Sequence, residues 1–190
     1  MKQTIQIETI TDTARLRGVV KAMVEASGGT AHPVLKESAL YMFWGALTLA
    51  LWEPKRDVAT SLLQMKLGKR KKNVWEPYAN WYGAYTLPDR RRQGHAYRLY
   101  AEAEKAAVDA GCRRVKSLAG SVAGLGLHRA LHHQCWGLTD GGEIFVDSPL
   151  PGHEERYTGL TPPQAPGALM TEAELNRVAL EGLRYDKEGR

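Results

Sequence analysis

The residues with the most chemical content lie between Tyr85 and Tyr97. There Tyr85, Thr86 and Leu87 have strand composition, Pro88-Asp89 breaks the strand, and Arg90, Arg91, Arg92, Gln93 and Gly94 lead into a helix. The first turn of a helix carries backbone N–H groups with no carbonyl partner. Together with the positive end of the macrodipole these favour phosphate oxygens. Gly94 lets a ligand approach the backbone, Ala96 keeps the next turn small, and the three arginines add charge-assisted contacts to a polyanion. The chemistry expected of this segment is the binding of a phosphorylated ligand.

A second group is Ser121, Gly124 and His128, at and beyond the start of a helix predicted from Ser121 to His133. The strand from Trp81 to Thr86 carries no carboxylate; Glu76, just before it, is the nearest candidate base and would act through a water. Trp44, Trp52, Trp75, Tyr78, Trp81 and Tyr82 suggest an aromatic-walled site. Ser121, Asp147 and His153 follow the order of a hydrolase triad, but Ala119 and Ala123 stand where a nucleophile elbow needs glycines.

Several elements must hold these groups in place. Ile5, Ile7 and Thr9 alternate as a short strand, and Thr11-Asp12-Thr13 supplies caps for a helix striped by Leu16, Val19, Val20, Met23 and Val24 and ended by Gly28-Gly29. A second helix after Pro33, a strand through Leu47, Leu49 and Leu51, and a strand from Val58 to Met65 follow. The helix opened at Gly94 has Leu99, Ala103, Ala106, Ala107 and Ala110 on one small-residue face and closes at Gly111. Strands are expected from Val115 to Ala119 and from Glu143 to Asp147. Residues 1–150 then form one domain; 151–190 form a Pro/Gly-rich extension with a short helix at about 171–183, begun by the capping box Thr171-Glu172-Ala173-Glu174. That helix would pack on the domain or on a second copy, leaving monomer and homodimer both open.

The chain has 190 residues, 43% hydrophobic and 25% charged, an ordinary balance for a folded globular protein. Its longest apolar run, Ala39 to Trp52, is 14 residues, short of the roughly 20 that cross a bilayer. With no signal-like N-terminus and only Cys112 and Cys135, the expected location is the cytoplasm with both thiols reduced and no metal. The net charge of +5 favours anionic partners, and five cations between Lys66 and Lys72 offer a basic loop for an acidic protein or nucleic acid.

Arg91-Arg92-Gln93-Gly94-His95-Ala96 fits the (Gln/Arg)-x-x-Gly-x-(Gly/Ala) motif and resembles the GNAT superfamily of N-acetyltransferases; Leu87-Pro88-Asp89 resembles the end of the preceding strand in that family. The order of elements over roughly residues 3 to 148 follows the same family. The resemblance implies an α/β fold with a mixed, mostly antiparallel twisted sheet flanked by helices and splayed at a cofactor cleft. It implies acetyl-CoA as cosubstrate, its pyrophosphate on the backbone of Arg92, Gln93, Gly94, His95, Ala96 and Tyr97, its pantetheine along Tyr85, Thr86 and Leu87, and a further contact at Ser121. The Leu87 amide would steady the oxyanion, and His128 stands seven positions after Ser121, where many members have a tyrosine acid. Aligned instead from Gly137-Leu138, that role falls to His132 or His133. The implied activity is transfer of an acetyl group to a primary amine by direct attack. The alternative is a catalytically silent module that binds nucleic acid or an acidic protein through its basic loops.

Overall fold

Why the chain begins strand then helix is visible at Asp12, whose carboxylate accepts the Arg15 N–H at 2.7 Å and caps helix α1 (Thr13–Ala26). The computed structural model describes residues 4–30, 32–68 and 77–187. Lys69, Arg70, Lys71 and Lys72 of the basic loop, together with Trp75 and Glu76, lie outside the described residues.

Two compact units divide the chain: Met1–Leu67 with Tyr82–Ala106, and Gly68–Trp81 with Ala107–Arg190. In the first, β1 (Gln6–Ile10) pairs antiparallel with β2 (Leu47–Trp52), and β2 pairs antiparallel with β3 (Ser61–Leu67). The β1 to β2 connection carries α1 and α2 (Pro33–Phe43). Proline suits the first position of α2 because it lacks the N–H that would go unpaired there, and the His32 ring accepts the Val34 N–H at 3.3 Å. Leu16, Val19 and Met23 of α1 and Leu35 of α2 bury against Ile10, Ala50, Leu62, Tyr85 and Leu87 in one apolar cluster. β3 is buried along Ser61, Leu62, Leu63, Gln64 and Met65, and the Gln64 side chain donates to the Ser38 carbonyl at 2.8 Å and to the Thr48 hydroxyl at 3.0 Å. The predicted start of this strand at Val58 is three residues early: Thr60 belongs to the turn and donates its N–H to the Leu51 carbonyl at 2.8 Å.

β4 (Tyr78–Thr86) passes from the second unit into the first, starting three residues before the predicted Trp81. A 3-10 turn at Pro88–Arg90 and the loop 91–94 lead to α3 (His95–Asp109), which buries Leu99, Ala103 and Ala107 as its apolar spacing predicts. In the second unit β4 pairs parallel with β5 (Arg114–Ala119) over Tyr78, Ala79 and Asn80. β5 then pairs antiparallel with β7 (Ile144–Pro149), and β7 with β6 (Cys135–Leu138). The strands hydrogen-bond in the order β1-β2-β3-β4-β5-β7-β6, a mixed sheet in which β4 pairs parallel with β5.

Ser121 caps α4 (Val122–Ala130), and the helix predicted to reach His133 stops earlier, with His132 in the left-handed region at φ 57°. The strand β6 that follows was not predicted. The C-terminal helix α5 (Glu172–Glu181) opens on the expected Thr171/Glu174 capping box. Its Leu175 and Val178, with Leu183 after it, share an apolar cluster with Ala119, Leu125, Cys135, Ile144 and Val146. One helical turn, Arg184–Lys187, follows it. No helix among the described residues is long and apolar enough to cross a membrane.

Candidate functional site

The end of β4 is held on the side of Thr60 and Ser61 by two bonds. Ser61 donates its hydroxyl to the Tyr85 carbonyl at 3.1 Å, and the Thr60 carbonyl accepts the Leu87 N–H at 3.0 Å. Backbone groups of an extended chain alternate between edges, so the Thr86 N–H and carbonyl face away from Thr60 and Ser61. The oxyanion role expected of the Leu87 amide is therefore corrected: that N–H already belongs to a backbone hydrogen bond, and Leu87 itself is 1% exposed in the apolar cluster. The Thr86 N–H is the one presented on the opposite edge. Its side chain is held by a 2.7 Å contact between its hydroxyl and that of Ser61.

Beyond Leu87 the chain turns twice in left-handed conformations, at Arg92 (φ 63°) and Gly94 (φ 78°), and then enters α3. A side chain built on Gly94 would meet nothing within 4 Å, so glycine is required there by backbone geometry and the space beside it is open. Arg91, Arg92, Gln93 and Gly94 are all exposed. The Gly94 carbonyl accepts the Arg98 N–H at 3.0 Å as the first bond of the helix, which leaves the amides of the first turn at the loop, beside those arginines. This arrangement suits a diphosphate.

His95 is placed differently from expectation. Its ring is 4% exposed, with Nε2 3.2 Å from a Glu53 carboxylate oxygen and Nδ1 3.3 Å from the Thr60 hydroxyl. Burial, helped by the cations Arg98, Arg90 and Arg56 and opposed by Glu53, holds this imidazole below its ordinary range. Its Nε2 faces the Glu53 carboxylate and its Nδ1 the Thr60 hydroxyl, which itself donates to the Leu51 carbonyl at 3.2 Å. Only the backbone of His95 is available to a ligand; Tyr97, next on the helix, is 45% exposed.

On the other side of the Tyr85 ring stands His32, its ring centroid 5.0 Å away. Tyr82 stacks on Tyr41 at 4.7 Å and meets Trp44 edge-on at 6.3 Å, an aromatic group on β4 and α2. Trp52 instead lies under the Arg15 guanidinium at 5.0 Å. Of the proposed aromatic wall, Trp44 and Tyr82 come together, and Tyr41 joins them unpredicted.

The second group, in the other unit, does not fit its expected role. His128 is 3% exposed, stacked on Trp81 at 5.1 Å, with its Nδ1 2.9 Å from that of His133. Burial and the neighbouring His133 push its pKa down to about 3. A ring so placed is neutral at physiological pH and has no proton of the needed acidity to give, so the acid role is corrected to a core role. Ser121 spends its hydroxyl on the Gly124 N–H at 3.1 Å. Asp147, the middle of the hydrolase alternative, is 0% exposed and accepts from Arg114 Nε at 2.6 Å. Each has a structural partner of its own, and neither forms part of a serine triad.

Known proteins resemble this chain in part of its sequence and in its fold. Residues 61–134 match the family described as Acetyltransferase (GNAT) family. No curated protein sequence matches the chain. Among solved structures, the ribosomal-protein-S18-alanine N-acetyltransferase of Escherichia coli superposes with a TM-score of 0.56 at 15% identity, covering 77% of this chain and 94% of that one. The paia N-acetyltransferase of Thermoplasma acidophilum, in complex with coenzyme A, gives 0.56 at 12% identity and covers 77% and 99%. An N-acetyltransferase of Staphylococcus aureus gives 0.57 at 14%, covering 77% and 99%. At these identities the likeness is one of fold.

Proposed function

Because residues 61–134 match the GNAT acetyltransferase family, we propose that the chain transfers the acetyl group of acetyl-CoA to a primary amine by direct attack of the amine on the thioester. The observation that carries this reading is the loop 91–94: two left-handed residues, Arg92 and Gly94, deliver the first amides of α3 beside exposed arginines and open space. Arg92, Gln93, Gly94, His95, Ala96 and Tyr97 would hold the pyrophosphate through their backbone, and Tyr85, Thr86 and Leu87 would line the pantetheine.

The cosubstrate supplies an activated acyl group. The Thr86 N–H, on the edge of β4 turned away from β3, would donate to the acetyl oxygen as negative charge builds there. The amine must arrive neutral, and it gives up a proton as its N–C bond forms and the C–S bond breaks; the released sulfur ends as the CoA thiol. A thiol is far more acidic than an amine or an alcohol and leaves as thiolate, so the reaction does not depend on an acidic histidine. Tyr41, Trp44 and Tyr82 support an acceptor with an apolar or cationic portion.

Calorimetric titration of acetyl-CoA into the wild type and into Gly94→Glu, at two salt concentrations, tests the reading. Micromolar binding that disappears in a folded variant supports it. Absence of binding to folded wild-type protein sinks it and moves the inquiry to nucleic acid.

A further inference from the structure

Glu53 follows β2 directly and is far in sequence from the phosphate loop, yet its carboxylate touches both ends of that loop. One oxygen accepts from Arg90 Nε at 2.8 Å, and the other lies 3.2 Å from His95 Nε2. The Glu53 side chain is only 18% exposed and His95 only 3%, so the His95 contact is sheltered from water, while Arg90, 29% exposed, is the solvent-facing end of the bridge. Arg90 ends the 3-10 turn, and His95 begins α3; the four residues between them are the exposed 91–94. One carboxylate thus ties together the two points from which the loop hangs.

The neighbouring bonds brace the same frame. Thr60 holds the far side of the His95 ring at 3.3 Å, while Arg56 pairs with Asp89 at 3.0 Å and Arg90 with Asp89 at 3.2 Å. The Gln93 amide donates to the Asp89 carbonyl at 3.2 Å, closing the loop onto the turn. Left-handed backbone at Arg92 is unfavourable for a residue with a side chain and persists only where its surroundings hold it. Glu53 is the group that reaches both sides.

We infer that Glu53 is a positioning residue for the diphosphate-binding loop: by bridging Arg90 and His95 it holds residues 91–94 in the shape that presents the α3 amides to a ligand. The inference rests on the reading of that loop as the acetyl-CoA site. Glu53 itself faces Arg90 and His95 and needs no contact with the ligand.

The test uses full-length protein and Glu53→Gln, with three readouts: native-state trypsin cleavage after Arg91 and Arg92, calorimetric affinity for CoA, and affinity for pantetheine, which lacks the diphosphate. The expected result is cleavage accelerated about fivefold or more, CoA affinity reduced about tenfold, and pantetheine affinity unchanged. A folded Glu53→Gln protein with wild-type cleavage and CoA affinity overturns the inference. Wild-type protein that binds no CoA overturns the cofactor reading itself, a different failure, and the inference with it. Should Glu53→Gln not fold, Arg90→Gln carries the same test from the exposed end of the bridge. Where both fold, the double variant must lose no more CoA affinity than the worse single one; additive losses overturn the claim that Glu53 works through Arg90.

Discussion

The Leu87 N–H points at the Thr60 carbonyl, 3.0 Å away, and this one bond decides which amide at the end of β4 is available for chemistry. Because strand edges alternate, engaging Leu87 presents Thr86 to the opposite edge. Thr86→Pro, which deletes that N–H, is expected to lower acetyl transfer by roughly 10²- to 10³-fold, the usual effect of losing one oxyanion donor, with CoA binding largely retained. Thr86→Val keeps the N–H and removes only the hydroxyl bonded to Ser61, so its activity should stay within about tenfold of wild type. Equal losses in the two variants, measured as thiol release, would place the effect in the side chain and not in the amide.

Gly94 separates strain from sterics. Its φ of 78° disfavours any side chain, while no atom lies within 4 Å of where a Cβ would stand. Gly94→Ala should therefore cost about 1 kcal/mol of stability in chemical denaturation. A loss several times larger would mean that the space is filled, and the loop would no longer suit a ligand.

The stretch from Trp81 to Gly111 was legible because its signals are local: aromatic and β-branched strand composition, Pro88, a glycine, and a striped helix closed by Gly111. Glu53 was not. Its partners Arg90 and His95 are 37 and 42 positions away, and no local pattern distinguishes a glutamate before Pro54 from any solvated one. Strand β6 was missed for another reason. Its four residues include Gly137, which carries φ 102° and interrupts the pairing with β7 at a register shift, so neither length nor alternation announced it. His128 shows the limit of motif spacing: position relative to Ser121 suggested an acid, whereas the Trp81 ring and His133 make it a buried neutral ring.

That buried ring makes stability depend on pH. With a folded pKa of about 3 and an unfolded value near 6.5, His128 is neutral in both states above pH 6.5 and contributes no slope there. As pH falls below 6.5 the unfolded chain takes up the proton and the folded one does not, so folding loses up to about 1.4 kcal/mol per pH unit from this group. Melting temperature measured at pH 7 and pH 5 should drop, and His128→Phe, which can still stack on Trp81, should shrink that drop. An unchanged drop in the variant would assign the acid sensitivity elsewhere.

The helical turn Arg184–Lys187 fastens the start of α4. Asp186 accepts the Val122 N–H at 2.8 Å and the Leu183 N–H at 3.1 Å, Tyr185 donates its own N–H to the Gly120 carbonyl at 2.8 Å, and the Tyr185 ring lies so close that a Cβ on Gly120 would fall 2.5 Å from it. Leu183, 0% exposed, anchors this turn in the cluster with Ile144 and Val146. Leu183→Ala is expected to cost about 2–5 kcal/mol, the range for emptying a buried leucine site, and Asp186→Ala about 1 kcal/mol, the range for losing a helix cap. Both losses should appear as lower denaturant midpoints with unchanged slopes. If Leu183→Ala melts as wild type does, residues 183–187 are not fastened to the second unit in solution, and Ser121 would be left to cap α4 alone.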